Sequence, residues 1–132
     1  MIRNIIFDWS GTLVDDLPGV FKATNYILEQ AGVATLTLTE FRAEFELPFI
    51  NFYNRFTPDV PLEQLEEWFH SYFSKVCGEV IALPHSVEFL DFCKSEKIRC
   101  FVLSAVKQEY FTEQTANVGM SDYFEQTYLG VW

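Results

Sequence analysis

The chain has 132 residues, 49% of them hydrophobic and 21% charged, which excludes a disordered polymer and leaves room for one modest core or a small domain with a smaller one inserted. Its formal net charge of −10 lacks the basic footprint of a nucleic-acid binder, so no nucleic-acid partner is expected, and handling an anion would need local compensation, most simply a divalent cation. The apolar start over residues 1–7 is too short for a signal peptide and no apolar run approaches a membrane span, so a soluble, cytoplasmic protein with no membrane partner is expected.

Residues 2–7, IRNIIF, read as a short buried strand ending at Asp8. WSGTLVDDLPG follows, with turn residues and the acids Asp15 and Asp16. Val20, Phe21, Thr24, Ile27, Leu28 and Ala31 fall at helical spacing, predicting a helix over 19–31 that Gly32 stops. Thr39 is the expected N-cap of a second helix through Phe45, and Pro48 limits it. Residues 49–56 suggest a third helix. Pro61 opens a fourth, with Leu62, Leu65, Phe69, Tyr72, Phe73 and Val76 on one face. The phenylalanines at 41, 45, 49, 52, 56, 69 and 73 are expected to form the core of this helical block.

A new unit begins at Pro84, with a helix expected over 85–96, a buried strand over 99–103 ending at Ser104, a helix over 107–117 and a third strand from Phe124 to Leu129. Strands separated by helices indicate a parallel α/β sheet. The block 16–81 is too long for a crossover and reads as an inserted helical domain, leaving 1–15 and 82–132 as the core domain. Cys77, Cys93 and Cys100 form no CxxC pair and are expected to be reduced core thiols. Neither His70 nor His85 falls in a matched sequence motif, and both read as structural.

Open α/β sheets build sites beyond the carboxyl ends of their strands, which directs attention to Asp8 and Ser104. An aspartate carboxylate can attack phosphorus and form an acyl phosphate that water later removes. Such an attack brings two anions together, and Mg²⁺ is the usual remedy. A serine at a strand end, just before a helix, can donate to a phosphate oxygen beside free backbone N–H groups. Gly11 lets the backbone turn sharply. Asp15 is expected to bond the loop backbone, and Asp16 to be solvated. Lys22, Arg42 and Arg55 are cations able to reach an anionic substrate, though each is more simply a solvated surface charge; Lys107 follows Ser104 closely.

FDWSGTLVDD, residues 7–16, resembles the first motif of the haloacid dehalogenase superfamily, whose phosphatases read hydrophobic-Asp-x-Asp-Gly-Thr-Leu. Residues 83–106 resemble the stretch ending in that family's second motif, and residues 121–130 the segment shortly before its third. The resemblance implies a Rossmann-like parallel-sheet core, incomplete at the C-terminus, with an inserted α-helical cap. It also implies a hydrolase like the phosphoglycolate phosphatase and β-phosphoglucomutase group, acting on a small phosphorylated metabolite. By the same resemblance Asp8 is the nucleophile and an Mg²⁺ ligand, and the Ser10 backbone carbonyl is a second ligand. Thr12 and Ser104 hold phosphate oxygens with N–H groups around Gly11 and Ala105, and residues 9–20 form a mobile flap.

This chain departs from the family pattern twice. Ser10 stands where family phosphatases carry an acid that protonates the leaving group. The lysine and acids of the family's third and fourth motifs have no counterpart, so a truncated chain, or one completed by a partner, is expected. A sheet short of strands suggests a homo-oligomer or strand swapping. The alternatives are a dehalogenase-like or phosphonatase-like hydrolase, or a binding protein that keeps the fold without catalysis.

Overall fold

The computed structural model describes residues 1–130. In chain order the elements are β1 (Asn4–Phe7), β2 (Val14–Asp15), α1 (Leu17–Gln30), α2 (Leu38–Glu44), α3 (Phe49–Phe56) and α4 (Leu62–Val76). They continue with β3 (Ile81–Ala82), α5 (Ser86–Ser95), β4 (Arg99–Ser104), α6 (Gln108–Val118) and β5 (Phe124–Leu129). The chain divides into two units: Met1–Leu17 with the part from Cys77 onward, and Pro18–Val76. Among the described residues no helix is long and apolar enough to cross a membrane.

The first unit is α/β. Its three-stranded sheet runs β1-β4-β5, with both pairs parallel, and Ile6 lies opposite Phe101 and Phe7 opposite Val102. Parallel neighbours need a crossover, and α5 and α6 supply it. Two right-handed crossovers advancing in one direction put both helices on one face of the sheet. Burial follows that rule: Phe7, Cys100, Val102 and Ser104 are buried, while Ile6, Leu103 and Tyr128 on the other face are 65%, 36% and 45% exposed. The core gathers Phe7, Trp9, Leu90, Cys93, Cys100, Val102, Phe111 and Met120. A second, two-stranded antiparallel sheet pairs Val14 with Ala82 and Asp15 with Ile81. The three cysteines are buried and form no disulfide among the described residues. Burial is the leading cause that pushes the Cys77 and Cys100 thiols up to about 11.

The second unit is helical. Ile27, Phe52, Tyr53 and Leu65 form its buried cluster, with Leu36, Phe45, Ile50, Phe56, Val60, Trp68 and Phe69 against it. Phe41 is buried against Phe21, Phe45 and Phe52, at ring separations of 5.5, 4.8 and 6.4 Å. Phe49 departs from the expected core: it opens α3 and is 40% exposed. Arg55 is tied to Glu44 at 2.9 Å and to Glu46 at 3.3 Å, so intrachain carboxylates already engage this cation.

The cap of α2 is Thr37, not Thr39. Thr37 accepts the Glu40 amide at 3.2 Å and the Glu40 carboxylate accepts the Thr37 amide at 2.7 Å, a reciprocal pair that Thr39 has no acid in place to make. Thr37→Ala should therefore lower unfolding stability by about 1 kcal/mol, whereas Thr39→Ala, inside the helix, should be neutral or slightly stabilising. Urea denaturation of both variants checks this; equal losses would sink the assignment.

Candidate active site

The β1–β4 ladder ends at the Phe7–Val102 pair, so the chain leaves the sheet at Asp8 on one strand and at Ser104 on its neighbour. Asp8 is exposed, and its Oδ2 accepts a long 3.4 Å hydrogen bond from the Thr12 hydroxyl. Between them the backbone folds into a tight loop. The Trp9 carbonyl accepts the amides of Thr12 at 3.1 Å and Leu13 at 2.9 Å, and the Gly11 amide donates to the Val14 carbonyl at 2.8 Å. Gly11 has a φ of +75°, the left-handed region that disfavours a side chain. The loop is held from beneath by the Trp9 side chain, which is fully buried.

Ser104 is buried at the end of β4, and its Oγ accepts the Val106 amide at 3.2 Å. That bond occupies an oxygen lone pair and leaves the hydroxyl hydrogen to donate. Ala105 and Lys107 are exposed beyond it. The structure thus places Asp8, Ser10, Gly11 and Thr12 on one loop, and Ser104 and Ala105 on the next strand end. Two surface depressions of about 400 Å³ each lie elsewhere, along α6 and β5 and at the amino end of β4, and neither is lined by Asp8, Thr12 or Ser104.

Asp16 overturns its expected solvation. It is half-buried. Burial is the main cause that raises its pKa above the usual aspartate value; the Ser10 side chain and its own backbone pull it down, while Asp15 and Asp8 push it up. Position 10 thus lacks a carboxylate, while a half-buried acid stands at position 16. The signal for this in the sequence was the doublet Asp15-Asp16, whose members part: Asp15 Oδ1 accepts the Leu17 amide at 3.1 Å. His85 pairs with Glu88 at 3.1 Å on the exposed start of α5.

Among the described residues no group of three or more His, Cys, Asp and Glu side chains forms a ready-made metal cage. Asp8 and the Ser10 carbonyl offer hard oxygen donors on an exposed loop, a set that suits Mg²⁺, which retains several waters and uses few protein carboxylates.

The sequence profile of the haloacid dehalogenase-like hydrolases matches residues 5–132. Among solved structures, a candidate β-phosphoglucomutase from Thermotoga maritima matches at 23% identity and a TM-score of 0.71, over 98% of this chain and 62% of that one. CbbY from Rhodobacter sphaeroides, in complex with phosphate, matches at 18% and 0.79, over 98% and 64%. A predicted phosphoglycolate phosphatase from Haemophilus somnus matches at 17% and 0.76, over 98% and 63%. At these identities the likeness is one of fold, and the chain spans under two thirds of each structure's length. No curated protein matches the sequence.

The environment of Asp16 makes a stability prediction. Its folded pKa lies above the unfolded value of 3.8, so the folded state binds the extra proton. Stability from this group is therefore greatest at low pH and falls as pH rises through the window from 3.8 to the raised folded value. Asp16→Asn keeps the size and polarity of the side chain without the charge. It should be more stable than wild type above that window and level with it at the acid end. Urea midpoints of both proteins across pH 3–7, in EDTA, give the comparison; parallel curves would refute the buried-acid assignment.

Proposed function

This chain belongs to the haloacid dehalogenase-like hydrolases, and on that premise we propose that it carries the nucleophile half of an Mg²⁺-dependent phosphatase acting on a small phosphorylated metabolite. The observation that carries the reading is the exposed Asp8 carboxylate at the end of β1 beside the Ser104 hydroxyl at the end of β4. The match to CbbY, whose structure holds phosphate, supports the same ligand chemistry.

In this mechanism Asp8 attacks phosphorus in line with the leaving oxygen and becomes an aspartyl-phosphate, which water then hydrolyses. Thr12 and Ser104 donate hydroxyl hydrogens to phosphate oxygens and the Ala105 amide lines the same space, whereas the expected Gly11 amide is taken by the Val14 carbonyl at 2.8 Å. Asp8 and the Ser10 carbonyl would hold Mg²⁺, which supplies positive charge against the meeting anions when bound. The helical unit Pro18–Val76 serves as the cap that selects substrate. A cytoplasmic setting agrees with three buried cysteines that form no disulfide. The net charge of −10 argues against a nucleic-acid substrate.

Ser10 favours one refinement and keeps a second reading in view. A serine hydroxyl is a poor proton donor at neutral pH, so substrates whose leaving group needs no proton are preferred. The second reading is a dehalogenase-like or phosphonatase-like reaction, which breaks a carbon–halogen or carbon–phosphorus bond.

Turnover of 4-nitrophenyl phosphate should require Mg²⁺ and should vanish in Asp8→Asn. It should exceed turnover of an alkyl phosphate by about 10²-fold or more, the size of the missing acid's contribution. Equal activity in Asp8→Asn would overturn the nucleophile assignment. Cleavage of a 2-haloacid or of phosphonoacetaldehyde, with no phosphate released from either ester, would select the second reading.

A further inference from the structure

We propose that Gln114 is a positioning residue for the Asp8 loop, acting through the Trp9 indole. The Trp9 Nε1–H donates to Gln114 Oε1 at 2.8 Å, a buried bond between residues 105 apart in sequence. Both side chains are fully buried. The indole already has an apolar bed, edge-on to Phe111 at 4.7 Å and to Phe124 at 6.1 Å. An apolar residue at 114 would complete that bed without introducing an amide. Gln114 instead buries one whose Nε2 has no hydrogen-bond partner among the described residues, a costly arrangement. What the glutamine adds over a hydrocarbon is direction, because it fixes the rotation of the indole.

That rotation bears on the site because Trp9 is the hub of the loop. Its backbone lies between Asp8 and Ser10, and its carbonyl gathers the amides of Thr12 at 3.1 Å, Leu13 at 2.9 Å and Val14 at 3.4 Å. Gln114 sits on α6, the helix that follows the Ser104 turn. One hydrogen bond therefore ties the loop bearing Asp8 to the element that continues from Ser104, holding the nucleophile and the phosphate-binding hydroxyl in mutual register. The catalytic part of this inference rests on the phosphatase reading; the structural part does not.

The test compares wild type, Gln114→Leu, Trp9→Phe and the double variant by two readouts. The first is amide NMR with hydrogen exchange. Gln114→Leu should stay folded, shift the amide resonances of residues 8–12 and speed exchange at Thr12 and Leu13. The second is turnover of 4-nitrophenyl phosphate with Mg²⁺. Here kcat should fall about tenfold with KM unchanged, as displacement of reacting groups predicts, and the double variant should be no worse than the poorer single. Unchanged loop resonances in folded Gln114→Leu, or losses that add in the double variant, would overturn the proposal. Trp9→Phe removes the same bond from the other side and decides the matter if Gln114→Leu does not fold. A wild type without Asp8-dependent turnover would defeat the phosphatase reading alone, and the loop resonances would still decide the positioning role.

Discussion

Parallel pairing of β1 with β4 is the constraint from which the rest of the first unit follows. Strands running the same way cannot be joined by a hairpin, so each neighbour is reached through a helix. They also end on the same side, which is why Asp8 and Ser104 leave adjacent strands together although 96 positions separate them. Because the order β1-β4-β5 advances in one direction, α5 and α6 cover a single face. Parallel sheets are ordinarily buried on both faces. Here Ile6, Leu103 and Tyr128 stay exposed on the second, and the cluster around Trp9, Leu90 and Val102 supplies the sheet's packing from one side.

Within that frame the loop after β1 meets an electrostatic problem. Asp8, Asp15 and Asp16 fall within nine residues of a chain with net charge −10. The loop disposes of them differently. Asp15 is spent on the Leu17 amide, Asp16 is half-buried, and of the three only Asp8 is fully exposed. Burial is the main cause that raises the Asp16 pKa above its usual value. A carboxylate left free in this way can meet a cation or an electrophile, and its neighbours compete with it less.

The strand ends at Asp8 and Ser104 were legible in the sequence because a short apolar run broken by a polar residue is a local signal. The helices between Leu17 and Val76 were legible through their spacing. What escaped was decided by partners distant in sequence or by single side-chain geometry. β2 and β3 are two residues each and too short to show any period. The choice of Thr37 over Thr39 turned on the reach of Glu40. Phe49 looked like core, yet a helix start exposes one of its sides. Asp16 looked solvated because the doublet gave no hint of its partial burial. The Trp9–Gln114 bond spans nearly the whole chain and has no sequence signature.

Ser10 also bears on what the loop can do. A carboxylic acid at position 10 could donate a proton directly, but it would add a charge next to Asp8 and compete for the same cation. Ser10 leaves that charge off the loop. The exchange gives up strength as a proton donor and lessens repulsion at Asp8. A reaction whose leaving group is already a weak base loses little by that exchange, whereas one expelling a strongly basic alkoxide loses the most. Under the proposed reading the residue at position 10 would govern which bonds the site can break, while the sheet and the Trp9 anchor govern only where Asp8 stands.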